Sequence, residues 1–173
     1  MNILQRGGVI LLAAATIALG GCGGSKPVAM PIDVVLAQDV AATRSAQVDV
    51  TAVGAGEQQK FAAKPVGLWF RGGDPDRAMT VQAGSVASVF FTPGGPNPQT
   101  IAESDAFWKG SLARQGNTLF VFASVAGEES KDRDGAWRKE LPLDPDRYDG
   151  GRIRLEVQKT GIVAVNLKPE PKK

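Results

Sequence analysis

The sequence predicts an all-β domain, an antiparallel β-sandwich of about seven or eight short strands of the transthyretin or immunoglobulin type. Three observations predict this fold class. Segments with alternating polar and apolar residues recur along the chain, turns rich in glycine and proline separate them, and only residues 101–112 have helical spacing. The length of 173 residues and the apolar fraction of 43% correspond to one domain with an ordinary core.

The strands are expected from residue 47 onward. They are residues 47–53, 65–71, a short strand around Met79 and Val81, then 86–92, 118–125, 137–143, 152–158 and 162–167. The last two form a hairpin across the turn at 159–161. Residues 118–125 are apolar on both faces, which is typical of a central strand covered on both sides. Residues 31–36 fit either a short edge strand or a tether lying on the surface.

The first 21 residues have the composition of an export signal. Arg6 supplies the positive charge, and the apolar run at 9–19 is too short to cross a bilayer as a helix. The run ends in Leu-Gly-Gly-Cys, which resembles the bacterial lipobox, and cleavage is then expected between Gly21 and Cys22. The resemblance implies a covalent lipid on Cys22, and no other cofactor is expected. The other interpretation is an ordinary signal peptide with a chance cysteine near its end.

The expected organisation has a signal peptide at 1–21, the lipidated cysteine and tether at 22–45, the sandwich at 46–167 and a solvated tail at 168–173. Position 23 is glycine. In enterobacterial sorting, aspartate at this position favours retention in the inner membrane. We therefore expect the protein in the outer membrane, facing the periplasm.

The composition excludes most enzyme mechanisms. With no histidine and one cysteine, the chain lacks nucleophile–histidine pairs, the commonest zinc ligand and any intrachain disulfide. A net charge of +2 without clustered lysine and arginine gives no footprint for nucleic acid. Calcium binding is disfavoured at 128–134 because Lys131 and Arg133 lie among the carboxylates, and at 144–151 because the acidic spacing of a calcium loop is absent. A solvated loop is expected at 128–134. The protein is therefore expected not to be an enzyme, and no catalytic or metal-binding residue is assigned.

Two stretches of the body carry a family resemblance. The first joins residues 48–52 to 64–70, and the second joins 119–123, an acidic loop, 136–139 and the hairpin at 152–165. Together with the lipobox, these stretches resemble the outer-membrane lipoproteins of type VI secretion systems, the VasD/SciN type. The sequence departs from that family at the start of its first long loop and in lacking a Phe-rich segment after residue 71, so a divergent member is expected.

The resemblance implies a structural role. Such proteins sit under the outer membrane and bind the periplasmic part of the large inner-membrane component, docking the secretion apparatus to the envelope. The family's contact loop lies between its first two strands, which corresponds to residues 54–63 here. The partner-binding residues implied are Gly56, Glu57, Gln58, Gln59, Lys60 and Phe61.

Phe61 has two possible roles in this segment. It is either an exposed anchor for a partner or a cover for its own sheet.

Two functions other than docking stay open at this point. Trp69, Trp108 and Trp137 are expected to be core or partly buried sheet residues, as is usual in a domain of this size. If they are exposed instead, they could form a binding module for an envelope ligand such as a glycan. A histidine-free hydrolase would instead need two carboxylates facing one cleft.

Overall fold

Within the residues that the structure describes, the fold has eight strands and five helices. The computed structural model describes residues 27–128 and 135–170. The strands are β1 Ile32–Leu36, β2 Ala46–Val53, β3 Val86–Phe91, β4 Gln99–Ile101, β5 Thr118–Val125, β6 Arg138–Pro142, β7 Ile153–Gln158 and β8 Gly161–Ala164. The helices are α1 Gln38–Ala41, α2 Ala55–Ala62, α3 Val66–Trp69, α4 Pro75–Gln82 and α5 Ala106–Ala113, and two short 3-10 turns cover Pro145–Arg147 and Asp149–Gly151. The signal peptide, Cys22 and residues 129–134 lie outside the described residues.

The strands form two four-stranded sheets, with orders β4-β1-β7-β8 and β3-β2-β5-β6. Neighbouring strands are antiparallel except β1 and β7, which are parallel. Alternate residues of β1 and β7, such as Val34 and Leu155, are fully buried and pack toward the second sheet. Val50 of β2 and Val121 of β5 face them from the other side. The predicted sandwich is confirmed.

A helical layer covers the outer face of the second sheet. Trp69 of α3 stacks on Phe122 of β5, with ring centroids 4.4 Å apart and 10° between the ring planes. Phe61 of α2 packs against Phe120 at 5.7 Å. Strand β5 therefore has the first sheet on one side and helices on the other, as its two apolar faces predicted.

Two segments predicted as strands are helices. Residues 65–71 contain α3, where the buried residues are Val66 and Trp69, one helical turn apart. The segment around Met79 and Val81 belongs to α4, which starts at Pro75 with the Asp74 side chain accepting a hydrogen bond from the Arg77 N–H. In both segments the apolar residues alternate over a short stretch, which predicted a strand. The residues that are buried in the structure have helical spacing instead.

The sandwich begins earlier than predicted. Strand β1 pairs with β4 on one side and β7 on the other, so it is neither an edge strand nor a tether. Met30, with 2% exposure, already belongs to the core. The expected boundary at residue 46 therefore lies inside the fold. The helix expected within 101–112 is α5, and the C-terminal hairpin is β7–β8.

Candidate docking site

The segment expected to be a partner-binding loop is helical. Gly54 is extended, and α2 then covers Ala55–Ala62, which includes every residue from Gly56 to Phe61. Most residues of this helix are alanine, glutamate, glutamine or lysine, which favour helix, and its single glycine at 56 is exposed. The prediction that residues 54–63 form a loop is therefore wrong.

Phe61 is a core residue. It is 1% exposed and contacts Trp69 at a centroid distance of 5.8 Å in an edge-to-face arrangement. Of the two interpretations of Phe61, the structure supports the one in which it covers its own sheet. The interpretation of Phe61 as an exposed anchor is wrong.

Other side chains of α2 attach the helix to the domain. Glu57 accepts two hydrogen bonds from the Arg114 guanidinium, at 2.7 and 2.9 Å. Gln58 donates to Glu140 of β6, and Lys60 forms an ion pair with Asp76 of α4. These contacts attach α2 to β6, to α4 and to Arg114 after α5. Binding of a partner by residues 56–60 stays a prediction.

The helical layer is held by a buried carboxylate on β2. Asp49 is 0% exposed and accepts hydrogen bonds from Trp69 Nε1 at 3.0 Å and from Arg77 Nε at 2.8 Å. Ser88 and Gln47 side chains donate to its other oxygen at 2.7 and 3.0 Å. One carboxylate thus connects α3, α4 and β3 to the central strand. Asp49 was not predicted as an important residue because a polar residue at an alternating position normally faces solvent.

A charged cluster joins α2 to α4. The Lys64 ammonium lies 2.9 Å from an Asp74 oxygen and 2.5 Å from an Asp76 oxygen. Burial acts to raise the pKa of Asp76, but hydrogen bonds from Lys60 and Lys64 outweigh it, and the pKa is lowered. Burial also acts to lower the pKa of Lys64, but the two carboxylates outweigh it, and the pKa is raised. Lysine ammonium groups thus pair with both carboxylates of this cluster.

A cleft opens at the end of β1, beside the segment 37–45 that connects β1 to β2. Strand β4 pairs with β1 only up to Val34. Two residues after Val34, the Asn97 side chain takes the place of β4: it accepts a hydrogen bond from the Leu36 N–H at 3.0 Å and donates one to the Leu36 carbonyl at 2.8 Å. The cleft of about 510 Å³ is lined by residues of α1, the end of β1 and the turn after β3. Val40, with 0% exposure, attaches α1 to the core.

The cleft and the N-terminal chain lie at opposite ends of β1. At the start of the strand, the Pro31 carbonyl accepts a hydrogen bond from the Ile153 N–H. At its end, the Ala37 N–H donates to the Val157 carbonyl, and α1 follows. Five strand residues separate these points, a distance of about 17 Å.

The three tryptophans offer no exposed ring to a sugar. Trp69, Trp108 and Trp137 are 0%, 2% and 4% exposed, so all three belong to the core. The structure therefore supports the interpretation of the tryptophans as core residues and not the alternative of an exposed stacking platform for a glycan. In the part of the chain that the structure describes, no three His, Cys, Asp or Glu residues form a group able to hold a metal ion. Among those same residues, no helix has the length and apolar character needed to cross a membrane.

The fold is similar to that of a solved secretion-system protein. Serratia marcescens Lip, described as a membrane-bound component of the type VI secretion system, superposes with a TM-score of 0.50 and 16% sequence identity. The alignment covers 83% of this chain and 99% of Lip. No family model matches the chain, and no curated protein sequence is significantly similar to it. The chain therefore shares its fold with a membrane-bound component of the type VI secretion system, the kind of protein that its sequence resembles.

Proposed function

We propose that this protein is a lipid-anchored outer-membrane component of a type VI secretion complex, which docks the periplasmic part of a large inner-membrane component. The fold shared with Lip carries the proposal. The Leu-Gly-Gly-Cys sequence ending at Cys22 supports the lipid anchor. The protein acts by holding two envelope components together and performs no chemical reaction in this role.

The docking surface is the segment 37–45 and its cleft. In the family that the sequence resembles, the contact loop lies between the first two strands. Because β1 is a strand, the first two strands here are β1 and β2, so the contact loop corresponds to 37–45 and not to 54–63. Gln38, Asp39, Ala42 and Thr43 are exposed there, beside a cleft able to receive side chains of a partner.

The position of the anchor supports this assignment. Residues 23–31 connect Cys22 to the start of β1, and nine residues extend to about 30 Å at most. The end of the sandwich where β1 begins therefore stays near the outer membrane. The cleft lies at the opposite end of β1, where it faces the periplasm and a partner that approaches from the inner membrane.

Two tryptophan substitutions test the docking surface. Ala42→Trp fills the cleft at an exposed position, and Gly56→Trp adds the same bulk to α2, where a Cβ meets nothing within 4 Å. Affinity of the soluble domain for the purified periplasmic domain of the inner-membrane component is measured by calorimetry, with melting temperature as the folding control. We expect Ala42→Trp to weaken binding about tenfold or more and Gly56→Trp to leave it unchanged.

If Gly56→Trp weakened binding and Ala42→Trp did not, the interface would lie on α2 and not at the cleft. If the wild-type domain did not bind the periplasmic domain at all, the docking function itself would be wrong.

A further inference from the structure

Strand β3 forms an unprotected edge of the second sheet. In the described part of the chain, β3 pairs with β2 on one side and no strand pairs with its other side. Its six residues, Val-Ala-Ser-Val-Phe-Phe, include no charged residue and no proline, and its register with β2 has no bulge. Proteins usually protect an edge strand by charge, proline, a bulge or short length, because an open edge pairs with other chains. Strand β3 has none of these forms of protection.

The other described edge strands are protected. Strand β4 has only three residues. Strand β6 contains three charged residues and ends at Pro142. Strand β8 has four residues, and its Ile162 N–H donates to the Ala136 carbonyl next to β6. Among these edges, β3 alone combines length with the absence of charge, which indicates that its free side is a contact surface.

The hydrogen bonds of the neighbouring strands determine which backbone groups of β3 point to the open edge. The Ala126 N–H donates to the Ser45 carbonyl, and these two residues continue the register of β2 with β5. Hydrogen-bonded pairs recur at every second residue of an antiparallel ladder, so residues 47, 49 and 51 of β2 bond to β5. Residues 46, 48 and 50 then bond to β3, where their partners are residues 91, 89 and 87.

The N–H and C=O groups of Val86, Ser88 and Phe90 therefore point away from β2, toward the open edge. The Gln99 side chain supports this, since its Nε2 donates to the Phe90 carbonyl at 2.5 Å. A carbonyl oxygen can accept a second hydrogen bond, so Gln99 leaves room for a further donor. Donors and acceptors that recur at two-residue spacing, about 7 Å, are matched by another extended backbone.

The side chains at this edge are accessible. Ser88 is exposed, and Phe90 is 62% exposed. A residue of an added strand directly opposite Phe90 would pack against its ring and remove it from water. The exposed phenylalanine thus has a place in the contact that the backbone groups predict.

The edge of β3 is continuous with the cleft beside the segment 37–45. Phe91 and Thr92 line that cleft, and the same two residues line a shallow depression of about 300 Å³ next to Phe90. The end of β3 therefore lies at the docking surface proposed above, so a partner seated in the cleft is adjacent to the open edge.

We propose that the partner docked in the cleft adds an extended segment to β3, so that the second sheet gains a strand. This inference rests on the proposed docking function and specifies how the partner binds. The segment belongs to the periplasmic domain of the inner-membrane component, has uncharged side chains and places an apolar one against Phe90. Its backbone groups pair with those of Ser88 and Phe90.

The lipid anchor disfavours a second copy of this chain as the occupant. Leu36 and Phe91 line the same cleft, so the ends of β1 and β3 lie together. Two copies paired symmetrically through β3 would run in opposite directions, and the starts of their β1 strands would lie at opposite ends of the pair. The two copies could not then both hold that end near one membrane.

Hydrogen exchange of individual amides tests the pairing. The lipidated chain in detergent micelles is measured alone and with a saturating amount of the purified periplasmic domain. In the chain alone, we expect fast exchange at Ser88 and Phe90 and slow exchange at Val89 and Phe91, because only the latter two bond to β2. With the partner bound, exchange at Ser88 and Phe90 should slow by about tenfold or more.

Two substitutions of Phe90 separate the ring from the backbone. Phe90→Ala removes the ring and keeps the N–H, whereas Phe90→Pro removes both. Because this N–H points to the open edge, neither substitution removes a hydrogen bond to β2, and the melting temperature checks that both variants fold. We expect Phe90→Ala to weaken binding about threefold, and Phe90→Pro to weaken it about tenfold further because a carbonyl of the partner loses its donor. Calorimetry measures both affinities.

Strand addition would be overturned if the wild-type chain bound the periplasmic domain while Ser88 and Phe90 kept their fast exchange. Equal affinities of Phe90→Pro and Phe90→Ala would overturn it as well, and if Phe90→Pro does not fold, the exchange measurement decides. Protection of these amides in the chain alone, increasing with its concentration, would assign the edge to a second copy and contradict the proposal. If the wild-type chain does not bind at all, the docking function is wrong and this inference with it, so detectable binding distinguishes the two failures.

Discussion

Asp49 stabilises the domain from a position that would ordinarily destabilise it. Removing a carboxylate from water is costly, and it is tolerated only where donors surround it. Four side chains donate to Asp49, and two of them come from the helices that cover the sheet. The Asp49 carboxylate therefore attaches the helical layer to the sandwich through hydrogen bonds.

Replacing Asp49 with alanine should lower the free energy of unfolding by about 3 kcal/mol, because Trp69 Nε1 loses its acceptor inside the core and Arg77 loses its ion-pair partner. Urea unfolding of the soluble domain measures the change. Asp39→Ala is the matched control, since its pair with Lys159 is 3.3 Å long and about half exposed on both sides. The control should change stability by less than about 0.5 kcal/mol. Equal effects of the two substitutions would contradict the role assigned to Asp49.

The role of Asp49 could not be predicted from the sequence. Its donors Trp69, Arg77 and Ser88 lie 20, 28 and 39 residues further along the chain. Alternation in β2 identifies the strand but does not show that a third layer covers its polar face. The same missing layer explains why the three tryptophans could be interpreted as exposed and Phe61 as an anchor.

At the scale of elements, several strands were predicted close to their observed bounds, whereas two short helices were mistaken for strands. β2, β5 and β7 have five or more residues with a consistent pattern, and each was expected close to its observed bounds. The helices α3 and α4 have only four and eight residues. One or two turns give too few positions for a 3.6-residue period, so an apolar pair such as Met79 and Val81 fits a strand equally well.

Two glycines in helices give a direct test of the helical layer. At Gly56 of α2, an added Cβ would meet nothing within 4 Å, so Gly56→Ala should stabilise the domain by about 0.5 kcal/mol through its helix propensity. At Gly110 of α5, a Cβ would lie 2.5 Å from the Gly84 carbonyl oxygen and 2.7 Å from that of Ala83. Gly110→Ala should therefore destabilise the domain by about 1–3 kcal/mol.

The same unfolding measurement serves both variants, each being the control for the other. A loss of stability in Gly56→Ala would argue against a helix at 55–62. An unchanged stability in Gly110→Ala would argue against the close contact between α5 and the turn that precedes β3.

At the scale of the whole molecule, strand β1 separates the N-terminal chain from the segment that connects β1 to β2. The chain enters at one end of β1, and the segment 37–45 lies at the other. The assignment of 54–63 as the contact loop took β2 as the first strand, because the sequence left residues 31–36 open between strand and tether. Only the pairing of β1 with both β4 and β7 resolves that choice.

The lipid anchor and the choice of membrane can be tested separately. Cys22→Ser should release the protein from the membrane, because burial of acyl chains contributes about 0.8 kcal/mol per methylene and the variant has no acyl chain at this position. The domain should keep its melting temperature, since the buried core begins at Met30. Gly23→Asp is the matched variant: it keeps the lipid and, under the enterobacterial sorting rule, should hold the protein in the inner membrane. For both variants, density-gradient fractionation of membranes measures where the protein is located, and a secretion assay measures function.

If docking to the outer membrane is the function, both variants should lose secretion, although only Cys22→Ser becomes soluble. If Gly23→Asp retained secretion with the protein in the inner membrane, secretion would not depend on which membrane carries the anchor. Retained secretion in a soluble Cys22→Ser protein would contradict the anchor itself. Because the cleft at 37–45 is intact in both variants, binding to the isolated periplasmic domain should be unchanged. A loss of secretion would then arise from the position of the docking surface in the envelope and not from its affinity.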